Sequence, residues 1–205
     1  FWVMDTRQYR SDQACGDGND VVPCGEWNDP SRTMMGAAQE RWLVDGLGAS
    51  RADWQVLAQQ VMMAPFDMRA GADTLLSMDQ WSGYPVARDR LLGAIAERAR
   101  GRTIVLTGDI HASYVNDLHA GFDRPGRPIV AAEFVGTSMS SGGDGYDEYP
   151  SWAATRADNP FMKWHNARRG YVRCRVTPEE WRADYRVVPF VTRPGAPVTT
   201  ATSWR

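Results

Sequence analysis

Lysine is almost missing from this 205-residue chain: Lys163 is the only one, and the rest of its 23 basic residues are Arg. Against them stand 25 acidic residues, giving a formal net charge of -2, so there is no global attraction to nucleic acid or to an anionic membrane. Phosphate recognition, if there is any, has to be local. No basic tract, zinc-finger spacing or RNA-binding signature occurs, and no nucleic-acid-binding module is expected. No run approaches the roughly eighteen apolar residues of a membrane-spanning helix, no signal-peptide pattern is seen, and there is no internal repeat. The use of Arg in place of Lys reads as base composition, with the guanidinium's bidentate fit to phosphate a bonus rather than a signal.

What is present is enough apolar material, 43% of residues with 11% aromatic, to bury one sizeable core. Cysteine is scarce, but two of the three, Cys15 and Cys24, flank a Gly/Asp/Asn-rich loop, "CGDGNDVVPC". Closing such a loop is what a disulfide does in an exported protein, so a bridge is expected over a pair of reduced thiols. Cys174, inside "GYVRCRV", reads as a small buried hydrophobe. The opening Phe1-Trp2-Val3-Met4-Asp5 looks like the middle of a strand and carries no initiator Met, which suggests a processed or cleaved product.

Along the chain, residues 1–9 read as a strand and 35–47 as a helix with Met35, Ala38, Trp42 and Leu43 on one face. Ser50 and Asp53 suggest a capping box, and the run from Trp54 to Met63 a strand. Residues 65–84 have no clean period and read as a long ordered loop, of the kind that tends to be functional. Pro85 opens a helix whose buried stripe is Leu91, Leu92, Ile95 and Ala99. Strands are expected at 103–107 and 128–135, then a pair in "GYVRCRVT" and "ADYRVVPFV", with 190–205 a loop or tail. The order indicates a layered α/β fold with mixed strand directions.

The chemistry gathers in "RTIVLTGDIHAS" at 102–113, where a short buried strand runs straight into Gly108, Asp109 and His111. In an open α/β sheet that carboxyl end is where ligands bind. Two residues apart on an extended backbone, Asp109 and His111 would share a face. A carboxylate oxygen suits calcium, magnesium or iron, and an imidazole suits iron or zinc. On spacing alone, a turn-capping Asp109 and a half-buried, satisfied His111 account for the dipeptide as well. Asn116 is a candidate partner behind a metal-bound His111, Arg7 a candidate phosphate-binding cation at the rim, and Trp81 a candidate substrate wall, although packing is the commoner role of such an aromatic.

The segments "DTRQYRSD", "DQWSGYPVARDRLL", "VLTGDIHASYVNDL", "EFVGTSMSSGGDG" and "RGYVRC…WRADYRVV" occur in the order found in the PhoD-like alkaline phosphatases and phosphodiesterases. From Phe1 to Val188 the chain resembles the C-terminal half of that family's catalytic domain, a branch of the two-metal metallophosphoesterases that includes PhoD-like phospholipases D. The resemblance implies an α/β fold: a four-layer αββα sandwich, with 1–205 forming its C-terminal half around a mixed sheet. It implies Asp109 as a calcium ligand and His111 as an iron ligand, in an iron and calcium cluster whose other ligands come from upstream motifs not found here. An N-terminal fragment of the same precursor is the implied partner. The implied activity is hydrolysis of phosphate esters, by a bacterial protein that is secreted or held in the cell envelope. A phospholipase D acting on lipid headgroups and a non-catalytic remnant or binding module are the alternatives. Family members often carry His where this chain has Phe161; His165 is a speculative substitute.

Overall fold

The computed structural model describes residues 1–122 and 126–205. The chain runs β1 (Trp2–Val3), α1 (Ala37–Ala49), β2 (Trp54–Ala58), α2 (Pro85–Arg98), β3 (Arg102–Thr107), β4 (Ser113–His119), β5 (Ile129–Val135), a short α3 (Trp152–Thr155), β6 (Met162–Asn166), β7 (Arg169–Val176), β8 (Trp181–Val188) and β9 (Thr199–Trp204). Six strands form one mixed sheet in the order β1-β2-β3-β5-β4-β6, and β7-β8-β9 form a second, antiparallel one. In the large sheet β1, β2, β3 and β5 run parallel, while β4 is antiparallel to both its neighbours.

Period-two alternation divides the side chains of the central strands between two cores. Leu57, Val105, Leu118 and Ala131 point to the face covered by α1 and α2, where Leu43, Leu47, Leu91, Leu92 and Ile95 meet them. Their sequence neighbours Val56 and Ile104, together with Val115 and Phe134, point the other way, onto Trp181, Ala183 and Tyr185 of the second sheet. Each fully buried aliphatic side chain of this kind contributes about 1.5 to 3 kcal/mol. The continuous apolar reading of Ile104-Val105-Leu106 therefore reflects a strand buried on both faces.

Several elements differ from expectation. Only Trp2–Val3 of the expected strand 1–9 pairs, because Met4 to Thr6 are taken over by side chains: Gln60 donates to the Met4 carbonyl and accepts from the Thr6 N–H, and Gln39 accepts from the Asp5 N–H. α1 starts two residues later than Met35, after Gly36 at φ 74°, and Trp42 lies on its exposed side, edge-on to Trp2. Ser50 ends α1; its hydroxyl accepts from the Ala52 N–H and from Gln55, with no capping contact to Asp53 among the described residues. β2 stops at Ala58, not Met63. β4, β6 and β9 were not expected, since Asn116, Asp117, Lys163 and the Thr/Ser run of 199–203 break the apolar signal. β9 corrects the reading of 190–205 as tail: it pairs with β8 from Thr199↔Val187 to Trp204↔Ala183. Pro85 opens α2 as expected.

Candidate functional site

The parallel strands β1, β2, β3 and β5 all end on one side of the sheet, so the residues following them collect at a common rim. Asp109 and His111 are there and both are exposed. They do not sit on an extended backbone: φ is 71° at Asp109 and 57° at His111, the left-handed region, so strand alternation is not what relates them. Left-handed geometry costs a non-glycine residue about 1 to 2 kcal/mol, and such outliers cluster at functional sites. Three contacts hold the turn. The Arg169 guanidinium donates to the His111 carbonyl (2.6 Å) and to Ser138 Oγ (2.9 Å), and Thr137 Oγ1 donates to the same carbonyl (3.2 Å). Arg169 is itself locked in place by the close pairing at its neighbour Gly170, φ 157°, where a Cβ would lie 1.9 Å from the Arg186 carbonyl oxygen.

The Asp109 carboxylate is held from both sides. Arg7 Nη2 donates to Oδ1 (2.9 Å) and Gln80 Nε2 to Oδ2 (3.1 Å). Arg7 in turn is clamped by Asp79, whose two oxygens accept from Nη1 at 2.7 and 2.8 Å. Arg10 and Gln13 also donate to Asp79 Oδ1, at 2.8 and 3.1 Å. Burial works to raise the Asp79 pKa, but the hydrogen bonds and charges of Arg7 and Arg10 outweigh it and hold the carboxyl below the ordinary range. Arg7 thus sits as a fixed cation between one committed carboxylate and one rim carboxylate.

Behind the rim, Glu133 is fully buried in the middle of β5. Its oxygens accept from the N–H groups of Met63 (2.6 Å) and Ala64 (3.0 Å), from Asn116 Nδ2 (2.9 Å) and from Thr107 Oγ1 (2.9 Å). Burial pushes its pKa up, with the four donors pulling against that. The bonds continue to the rim: Gln80 Oε1 accepts from the Met62 N–H (2.6 Å) while its amide nitrogen holds Asp109. Gln80, Glu133 and Arg169 escaped the sequence reading. Glu133 had a signal, a lone charge in the apolar run "PIVAAEFV"; Gln80 and Arg169 had none.

Three expected roles are corrected. Trp81 is wholly buried in the core, with Nε1 donating to Gln59 Oε1 (2.9 Å), so it packs the site from behind and cannot line a substrate path. Asn116 is also buried and serves Glu133, not His111. His165 is no substitute ligand either: it lies buried between Tyr114 and Tyr149, with Nδ1 against the Ser113 carbonyl (3.2 Å) and Nε2 accepting the Tyr149 N–H (3.1 Å). Phe161 packs edge-on against Phe122. Cys15 and Cys24 are bridged, with Cα atoms 5.6 Å apart.

As metal donors, Asp109 and His111 fit as two members of a larger set. The His111 ring has no partner among the described residues, and the Asp109 carboxylate, with about four lone-pair sites, has acceptor capacity beyond its two hydrogen bonds. Among the described residues the one cluster of three potential ligands is Cys15, Cys24 and Glu26, and its sulfurs are joined to each other.

A family model described as PhoD-like phosphatase matches residues 1–185. The chain belongs to the PhoD-like phosphatase family. This PhoD-like chain is 48% identical over 204 residues to alkaline phosphatase D of Bacillus subtilis (strain 168), covering all of itself and 35% of that protein. A solved structure titled "Structure of PhoD" superimposes with a TM-score of 0.93 at 47% identity, over 98% of this chain and 38% of that one. The PhoD-like chain therefore spans little more than a third of the relatives it matches, and no helix among its described residues is long and apolar enough to cross a membrane.

Proposed function

We propose that the chain is the C-terminal part of a secreted or cell-envelope bacterial phosphoesterase that hydrolyses phosphodiesters or phosphomonoesters with the help of iron and calcium. In this reading its helix layer and its two facing sheets are part of a four-layer αββα sandwich. The observation that carries the proposal is the rim itself: Asp109 and His111, both left-handed, are presented beside a guanidinium anchored by Asp79. Asp109 would hold calcium and His111 iron, in keeping with their oxygen and nitrogen donors. When bound, the metals supply positive charge to the phosphoryl oxygens and lower the pKa of the attacking water.

The chain's own residues do the positioning. Arg7 can keep Nη1 on Asp79 and one Nη2 N–H on Asp109 while the second Nη2 N–H reaches a phosphate oxygen, a charge-assisted contact. Gln80 and Arg169 fix the side chain of Asp109 and the backbone of His111, so that the two donors need little rearrangement. The disulfide supports export. The name of the matched relative, alkaline phosphatase D, supports a phosphatase over a phospholipase.

The test is turnover of an aryl phosphodiester by the full-length protein, with iron and calcium measured in the same sample. Asp109→Ala and His111→Ala are each expected to lower the rate at least ~100-fold and reduce metal content, with the melting transition largely kept, because rim ligands contribute more to the metal cluster than to the core. Near-normal rates in both variants would remove the metal assignment.

A further inference from the structure

Beside Asp109 lies a cavity of about 270 Å³ whose lining is not what phosphate binding requires. Met62, Phe66, Met68 and Ile110 give it apolar surface, and the carboxylates Asp79 and Asp109 share the rest with uncharged polar side chains. Asp79 is committed to Arg7, Arg10 and Gln13, while Asp109 carries Arg7 and Gln80 and is the proposed calcium ligand, so a cationic arm would compete with Arg7 and with that metal. An anionic one would meet two carboxylates. What remains is an uncharged group, apolar where it meets Met62, Phe66, Met68 and Ile110.

The wall is built from two loops with little regular structure, fastened to each other. Val21, inside the disulfide-closed segment, exchanges both backbone hydrogen bonds with Leu76, at 2.9 Å each. Met78 N–H donates to the Gly18 carbonyl (2.8 Å), and Ser77 Oγ donates to Asn19 Oδ1 (2.9 Å); Ser77 and Asn19 both line the cavity. Ordered loops of this length are uncommon in compact domains unless they build a binding surface. Here they shape the space next to Asp79 and Asp109, which hold Arg7, the residue that the proposed function places against the phosphate.

We propose that this cavity is the subsite for the organic arm of the ester, an aromatic ring or an alkyl chain of similar bulk. An apolar cavity of about 150 Å³ accepts benzene, so the space found suits one ring and its linking atoms but not two acyl chains. This deepens the phosphoesterase reading and rests on it for the position of the phosphate.

The experiment compares methylphosphonate with benzylphosphonate as ligands of the full-length protein loaded with iron and calcium. They present the same anionic head and differ in the arm. Both are measured as inhibitors of aryl phosphodiester turnover and, independently, by titration calorimetry. Benzylphosphonate is expected to bind at least ~10-fold more tightly, since a buried ring removes far more apolar surface from water than a methyl group. Met68→Trp, which fills the cavity, should erase that preference, and Met68→Ala should keep it and admit a naphthylmethyl arm. Equal affinities in the unmodified protein, or a preference that survives in folded Met68→Trp, would overturn the subsite. The comparison in the unmodified protein decides the matter even where the Trp variant does not fold. Absence of any turnover alongside a clear benzyl preference in calorimetry would instead overturn the hydrolase reading and leave the subsite standing.

Discussion

A carboxylate shut away from water survives only among donors, and Glu133 has four of them, two from the backbone of residues 63 and 64 and two from Asn116 and Thr107. Glu133→Gln keeps the shape but turns an amide NH₂ toward groups that are themselves donors. It should therefore destabilise the protein by about 2 to 4 kcal/mol, read as a shift in the urea midpoint. An unchanged midpoint would mean that the backbone at 62–64, and through Gln80 the Asp109 carboxylate, is held by other means. His165 gives a second test at this scale. Burial lowers its pKa to about 4 from 6.5, with the Ser113 carbonyl opposing, and its two ring nitrogens are satisfied only in the neutral Nδ1–H form. The unfolded chain therefore binds more protons between those values, and the stability His165 contributes, up to ~3 kcal/mol, is complete above pH 6.5 and lost as pH falls toward 4. Glu133, with a raised pKa, acts in the opposite sense as the solution is acidified, so the comparison must be with His165→Gln. The difference between the two stability curves should shrink steadily from pH 6.5 to 4.5; parallel curves would rule out a neutral, buried His165.

At the scale of elements, the disulfide segment belongs to the site as much as to the framework. Its bridge closes a loop of about ten residues, for which chain entropy gives a stabilisation of roughly 2 to 3 kcal/mol. Replacing Cys15 and Cys24 by Ser should thus lower the melting temperature by about 4 to 10 °C at this chain length. Reductant should do the same to the unmodified protein and nothing further to the variant; a reductant effect that persisted in the variant would have another origin. This loop was legible from "CGDGNDVVPC" because small polar residues between two cysteines leave little else for them to do. α2 and β3 were legible for a similar reason, a proline followed by a helical stripe and an apolar run between breakers. β4, β6 and β9 were not. Asn116 in β4 donates to Glu133 and His165 in β6 faces tyrosines, polar groups whose partners lie far along the chain, and 199–203 gains its strand only from β8. Asp109 and His111 were legible as residue types, but not the left-handed turn that presents them, because Arg169, which holds that turn, arrives from 58 positions away.

At the scale of the whole molecule, coordination numbers set the limit. An iron and a calcium ion together call for roughly ten to twelve donor atoms, and waters and substrate cannot supply most of them and still leave tight binding. This chain offers Asp109 and His111 at its rim, and the relatives it matches carry much more sequence, since it covers 35% of one and 38% of the other. Among the described residues the second sheet has three strands with β7 and β9 at its edges, and the large one ends at a two-residue β1 beside the exposed Phe1 and Val3. Open edges and apolar faces of this kind are normally covered in a folded protein. The 205 residues produced alone are therefore expected to hold iron and calcium weakly, losing both in gel filtration, and to turn over no aryl phosphodiester. The full-length protein should retain the metals through the same column and lose them with Asp109→Ala. Stoichiometric metal retained by the 205 residues alone, with turnover, would mean that Asp109 and His111 complete a site with groups inside this chain, and the ligand set would have to be sought again among its own carboxylates.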